Sequence, residues 1–235
     1  MKIVLWSDVS AIFLVILASA SSSTTPPPGA VVTSDISNFA VVRPFSASDA
    51  DKLANSFDVW DDYPPCAANN DGESKPSSAR APVADLFLVF SQSIDLSPMV
   101  QEAISSVEEK FNKKNGWNGC FGKITALSAG IEPQLDIYDP IAQETNWVNG
   151  PNRQFERTIR LIQAEGYDAV YLMEGDSVPV ADAWLDSLLS DIDEHRPFDI
   201  LGSVYCGDKW DPFFETLDEA LVKHINGNAI YNLTE

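Results

Sequence analysis

YDAVYLMEGDSVPV, residues 167–180, joins an unbroken apolar run to two carboxylates, Glu174 and Asp176, with one glycine between them. The run DAVYLM is short, apolar and rich in strand-forming side chains, so it predicts a buried strand with the acids at its carboxyl end. In an extended segment residues two apart point to the same side, so the carboxylates converge and Gly175 leaves room beside them. Two carboxylates held together repel unless one takes up a proton or a cation sits between them. Mg²⁺ or Mn²⁺ bound by one or two carboxylates, with diphosphate oxygens and water completing the shell, resolves that conflict. The spacing also fits a plainer arrangement, in which Asp176 or Ser177 caps the next helix and Glu174 is solvated at the strand end.

Outward from this stretch, short apolar runs alternate with amphipathic windows. LFLVFS (86–91) predicts a strand, and Val100, Ala103, Ile104, Val107 and Phe111 then recur at helical spacing. KITALSAGI (123–131) predicts a second strand. Phe155, Ile159 and Ile162 mark a helix that Gly166 ends, and DAVYLM is the third strand. ADAWLDSLLSDID sets Ala181, Trp184, Leu185, Leu188, Leu189 and Ile192 on one stripe; FDILGSVY then reads as a fourth strand and FFETLDEALVKH as another helix. The alternation predicts an α/β domain with a mostly parallel sheet and flanking helices. Ligands of such sheets gather outside the carboxyl ends of the strands, where the acidic motif stands.

The remaining chain sets the context. Residues 1–20 contain Lys2 and the apolar run AIFLVILASA, which predicts a signal peptide, or an uncleaved signal anchor, directing the chain to the secretory pathway. Residues 21–48 are rich in Ser, Thr and Pro and read as a stalk; residues 49–84 read as an N-terminal extension and residues 85–235 as the ligand-binding domain. Within the extension SASDADKLANSF suits a short helix, and Trp60 and Tyr63, flanking a turn, are expected to pack onto the domain. Cys66, Cys120 and Cys206 allow one internal disulfide, or remain buried thiols. Asn232-Leu233-Thr234 is a glycosylation sequon. A formal charge of −20 with no basic stripe argues against nucleic acid and anionic membrane surfaces as partners. The same field repels a nucleotide's phosphates, so a divalent cation is the natural mediator between them and the protein.

GYDAVYLMEGDSVPVADAWLDSLL (166–189) resembles the region around the acidic Asp-x-Asp motif of nucleotide-sugar-dependent glycosyltransferases with the GT-A fold. NGPNRQFERTIRLIQAEG precedes it as the family's helix and turn do, and Pro179 and Trp184 follow. The likeness runs from Asp85 to the end of the chain and is strongest over residues 149–231. It implies a GT-A-like, Rossmann-like sheet, with Asp176 binding an Mn²⁺ or Mg²⁺ cofactor to the donor diphosphate and Glu174 contacting the metal, its waters or the donor ribose. The first acid is Glu where the family commonly has Asp, so Asp176 is the principal ligand.

The resemblance also implies that a basic residue on the preceding helix faces the nucleotide. Arg153 and Arg157 lie one turn apart near the helix start; the residues alone equally allow a solvated pair bridging Glu156 or Glu165. Asn149 or Asn152 is expected to cap that helix. HINGNAIYN (224–232) looks like the loop that lines the sugar pocket, making His224, Asn226 and Asn228 sugar contacts, or else a helix end and a turn. Asp208 and Asp211 follow the fourth strand and are either the acceptor-activating base or helix caps. Family members continue past this loop, so the fold is expected to be incomplete at the C-terminus. The function implied is transfer of a sugar from a nucleotide-sugar donor to a hydroxyl of a glycan, glycoprotein or lipid acceptor, in the Golgi lumen or as a secreted protein. The alternative is a catalytically inactive carbohydrate- or nucleotide-binding module on the same fold. A phosphohydrolase built on an aspartyl phosphate is disfavoured, because Glu174 stands where the nucleophilic Asp would be needed.

Overall fold

The computed structural model describes residues 36–67, 82–138, 149–175, 177–204 and 225–234. Six strands form one sheet in the order β3-β2-β1-β4-β6-β5. They are β1 (Phe39–Phe45), β2 (Ala84–Phe90), β3 (Phe121–Ser128), β4 (Ala169–Leu172), β5 (Ile200–Val204) and β6 (Ile225–Asn232). Neighbours from β3 to β4 run parallel, while β6 lies antiparallel to both β4 and β5. The mostly parallel α/β sheet with flanking helices is therefore present.

Two segments differ from the sequence reading. β1 falls inside the expected stalk, yet it is an interior strand, with Val41 opposite Leu86 on one side and Tyr171 on the other. The sheet thus begins well before residue 85. FAVVRPF escapes pattern reading because Arg43 and Pro44 interrupt its apolar run. Pro44 is tolerated because β4 pairs with β1 only as far as Val42, so the missing N–H falls where no ladder bond is made. INGNAIYN is not a loop but β6, an interior strand between β4 and β5.

Alternation along the strands gives the sheet two apolar faces. Phe39, Val41, Leu86, Leu88, Phe90, Tyr171 and Ile230 face one way, under α1 (Ala50–Ser56), α3 (Pro98–Lys113) and α6 (Trp184–His195). Ala40, Val42, Phe87, Val89, Val170, Leu172 and Ala229 face the other, under α5 (Asn149–Ala164). The five expected α3 positions, from Val100 to Phe111, are all buried. In α6 Trp184, Leu185, Leu188 and Ile192 are buried, whereas Ala181 precedes the helix and is exposed. Gly166, at φ 84°, ends α5: its N–H reaches Gln163 O, and the Tyr167 N–H reaches Ile162 O, the two bonds of a Schellman cap.

The extension is stitched down rather than free. Trp60, in the short helix α2 (Val59–Asp62), is fully buried among Phe57, Trp117, Phe121 and Trp184, while Tyr63 stays at the surface. Trp117 belongs to the five-residue α4 (Asn115–Gly119) and takes a left-handed φ of 48°, held there by its rings' packing on Phe57 and Phe111. Cys66 and Cys120 are joined by a disulfide, Cα–Cα 5.8 Å, and the Ala183 and Leu185 N–H groups donate to Pro64 O and Pro65 O. Cys206, the N-terminal signal segment and the helix expected over residues 213–224 lie outside the described residues. No helix among the described residues is long and apolar enough to cross a membrane. Asn232 of the sequon donates through Nδ2 to Phe198 O and accepts from the Thr234 N–H and hydroxyl, so its carboxamide is built into the end of β6.

Candidate functional site at the carboxyl edge of β1 and β4

The strand order reverses at β1. The chain steps outward through β2 and β3 and then returns to place β4 on β1's other side. In open α/β sheets the crevice outside the carboxyl ends at such a reversal is where ligands bind. Directly past β4 at that edge, the Ser177 N–H donates to Glu174 O at 3.0 Å. This bond closes a turn from Glu174 to Ser177, and Asp176 within it lies outside the described residues.

Glu174 is docked on β6. Its N–H donates to Asn228 Oδ1 and its Oε2 accepts from Asn228 Nδ2, both at 2.9 Å. The carboxylate lies over Gly227, where a Cβ would stand 2.9 Å from Glu174 Cδ. The glycine leaves the carboxylate its place, because a side chain at 227 would displace it. At Gly175 the nearest described atom to an added Cβ is Pro44 O at 3.7 Å, so that side of the turn is open among the described residues. Burial first, then the charge of Glu174, pushes the Tyr231 hydroxyl up to about 12, and burial likewise raises Tyr171.

Beneath the turn lies a residue that sequence reading passed over. Arg43 has 0% exposure and points from β1 into the face covered by α1. Its Nη1 donates to Ser177 O at 2.7 Å, and its Nη2 donates to Gly175 O at 3.0 Å and Ser56 Oγ at 2.9 Å. The guanidinium also sits over the Phe57 ring, 5.6 Å from its centre. Next to it the Ser177 hydroxyl is buried with no partner among the described residues.

The other wall of the edge comes from β2, α5 and the loop after β3. Asp136 Oδ2 accepts from the Ser91 hydroxyl and Gln92 Nε2, each at 2.7 Å, while its buried Oδ1 has no partner among the described residues. Gln154 bridges the strand ends, donating to Phe45 O at 2.8 Å and Val89 O at 3.2 Å and accepting from the Tyr138 hydroxyl. Burial first, then the Asp136 charge, pushes the Tyr138 hydroxyl far above the ordinary tyrosine range. Asp136 and Tyr138 lie in the loop after β3, and only the topology brings them to β1.

Of the predicted site residues, the structure brings together Glu174 and Asn228. Asn226 lies two positions before Asn228 in β6. Asp176, Asp208, Asp211 and His224 lie outside the described residues. Arg157 bridges neither Glu156 nor Glu165: its Nη1 donates to Ala129 O and Gly130 O, bracing α5 to the end of β3, with Glu132 3.9 Å away. Glu156 pairs instead with Arg160. Arg153, one turn earlier, is half-buried, and its Nε is sealed from solvent without a partner among the described residues. Asn152 Oδ1 is likewise buried and unpartnered, so it makes no cap. Ser177 does not cap α6 either, because the N-cap position is Ala183, with φ 54°.

No three His, Cys, Asp or Glu side chains gather among the described residues. Among the described residues the turn offers one carboxylate, Glu174, while the Ser177 hydroxyl is sealed from solvent. A carboxylate oxygen is the type of donor that Mg²⁺ or Mn²⁺ takes beside phosphate and water.

No family model matches the chain, and no curated protein matches it in sequence. Among solved structures it is similar to the galactosyltransferase LgtC, crystallised with donor and acceptor sugar analogues, at 12% identity and a TM-score of 0.43. The match covers 83% of this chain and 58% of that one.

Proposed function

We propose that the protein is a glycosyltransferase of GT-A type, moving a sugar from a nucleotide-sugar donor to a hydroxyl of a glycan, glycoprotein or lipid acceptor in the secretory pathway. One observation carries the reading: the acid-bearing turn 174–177 follows β4 at the point where the strand order of a parallel sheet reverses. The resemblance of residues 166–189 to the family's acidic motif names the ligand.

In this reading Asp176 and Glu174 hold Mn²⁺ or Mg²⁺, which neutralises charge on the leaving diphosphate when bound. Arg153 adds a cation at the start of α5, where helix N–H groups already favour anions. Arg157 is a brace and is withdrawn from the nucleotide site. Asn228 spends one N–H and one lone pair on Glu174 and keeps the others for donor hydroxyls, alongside Asn226 and His224. Asp208 or Asp211 takes the proton from the acceptor hydroxyl if configuration is inverted. Asp136 Oδ1 supplies a buried acceptor that an N–H or O–H of the ligand satisfies.

The test is donor turnover: the protein is incubated with a panel of nucleotide sugars, with and without Mn²⁺, and free nucleotide is measured. Metal-dependent release that disappears in Asp176→Ala supports the enzyme. Metal-dependent nucleotide binding without turnover of any donor selects the inactive module, and binding unchanged in Asp176→Ala refutes the site.

A further inference from the structure

We propose that Arg43 is a positioning residue: from within β1 its guanidinium sets the conformation of the Glu174–Ser177 turn, and so the metal affinity of the acids that turn carries. The proposal rests on the reading of the turn as a metal–nucleotide site.

Three observations support it. Arg43 occupies a position on β1 where alternation calls for an apolar residue, since Val41 and Phe45 on either side are core residues of the same face. Burying a guanidinium there costs far more than burying a leucine unless its N–H groups are satisfied. Its two Nη groups are spent mainly on the turn: Gly175 O and Ser177 O receive the two arms of one planar fork, while the buried Nε finds no hydrogen-bond acceptor among the described residues. The fork is itself fixed from below by Ser56 Oγ and the Phe57 ring. Arginine suits this task because its donors keep a rigid mutual geometry, whereas a lysine brings one mobile ammonium. On the opposite flank Asn228 grips the Glu174 N–H. The backbone of the turn is thus held from β1 on one side and from β6 on the other. Metal ligands held to within about half an ångström bind far better than ligands on a loose turn. For core packing alone, a leucine would serve.

The experiment uses the full chain carrying Arg43→Lys, Arg43→Met or Ser56→Ala, with Asp176→Ala as the control. Folding is followed by thermal denaturation, Mn²⁺ binding by electron paramagnetic resonance, and backbone hydrogen exchange by mass spectrometry without metal. Expected is Mn²⁺ affinity weakened about tenfold in Arg43→Lys and less in Ser56→Ala, the size of a lost charge-assisted hydrogen bond. Exchange over the turn should accelerate while β2 and β3 keep their protection. A folded Arg43→Lys protein that binds Mn²⁺ within about twofold of the parent overturns the proposal. If Arg43→Lys does not fold, unchanged Mn²⁺ affinity and turn exchange in Ser56→Ala overturn it. Failure of the underlying site reading shows separately, as a parent protein that binds no Mn²⁺ or an Asp176→Ala protein that binds it equally well.

Discussion

Gly227→Ala separates the packing of β6 from the placement of Glu174. An added Cβ would stand 2.9 Å from Glu174 Cδ and closer still to Oε1. Ordinary contacts lie near ~3.5 Å, so the carboxylate must swing away by roughly 1 Å. It can do so because it is the free end of a flexible side chain, and no backbone atom is among the close neighbours. The swing breaks the Asn228 Nδ2 bond to Oε2. Losing a hydrogen bond to a charged group costs about 1.5–3 kcal/mol, less here because the carboxylate is half-exposed and water replaces the donor. Alanine recovers about 0.5–1 kcal/mol over glycine within a strand. The net loss is about 1 kcal/mol, a fall in Tm of about 2–4 °C for a chain of this size. Metal-dependent nucleotide binding, measured by calorimetry, should nevertheless fall about as far as in Glu174→Ala. Wild-type binding in a folded Gly227→Ala protein would refute a role for the Glu174 carboxylate at its observed position, and loss of folding would refute the claim that only a side-chain end is displaced.

Replacing Cys66 and Cys120 with serine opens a covalent loop whose ends are 54 residues apart, and should cost roughly 4 kcal/mol in denaturant unfolding. Asp168 accepts from the Ser37 and Asn38 N–H groups and the Ser37 hydroxyl; burial raises its pKa, but these bonds outweigh it and the carboxyl is held below its ordinary range. A depressed carboxylate contributes stability that is present above the unfolded pKa and lost as pH falls through the folded one. Asp168→Asn should therefore flatten the acid limb of a Tm-against-pH curve while changing it less at pH 3 than at pH 7. Arg157→Ala, losing its bonds to Ala129 O and Gly130 O, should destabilise by about 1–3 kcal/mol in urea titrations, whereas Arg153→Ala should leave Tm nearly unchanged and weaken nucleotide diphosphate binding.

The elements visible in the sequence are those where burial follows one period. The α3 stripe from Val100 to Phe111, the strand within DAVYLM and the Gly166 stop all occupy the places that spacing gives them, because packing decides the first two and a left-handed φ the third. Trp60 is drawn wholly into the aromatic cluster, while Tyr63 beyond the short helix stays exposed. Arg157 illustrates the limit of one-dimensional reading. Its spacing from Arg153 defines a shared helix face, but which of the two reaches backbone carbonyls depends on the loop after β3, a partner that no helical periodicity encodes.

The failures are not scattered. FAVVRPF hides in the stalk composition because Arg43 and Pro44 break its apolar run, and HINGNAIYN resembles a loop because Asn226, Gly227 and Asn228 break the alternation of a strand. Both segments are interior strands, and they flank β4 on its two sides. Three of the residues that spoil their patterns meet the acidic turn: Arg43 at Gly175 O and Ser177 O, Gly227 under the Glu174 carboxylate, Asn228 on the Glu174 backbone and side chain. A sheet optimised for packing alone would carry branched apolar residues at all three positions and would have been easier to recognise. The departures cost local propensity, including a buried charge and a strand glycine, and what they secure is the geometry of residues 174–177. Broken rules thus concentrate around one turn, and the most informative substitutions lie in β1 and β6 as much as in the motif.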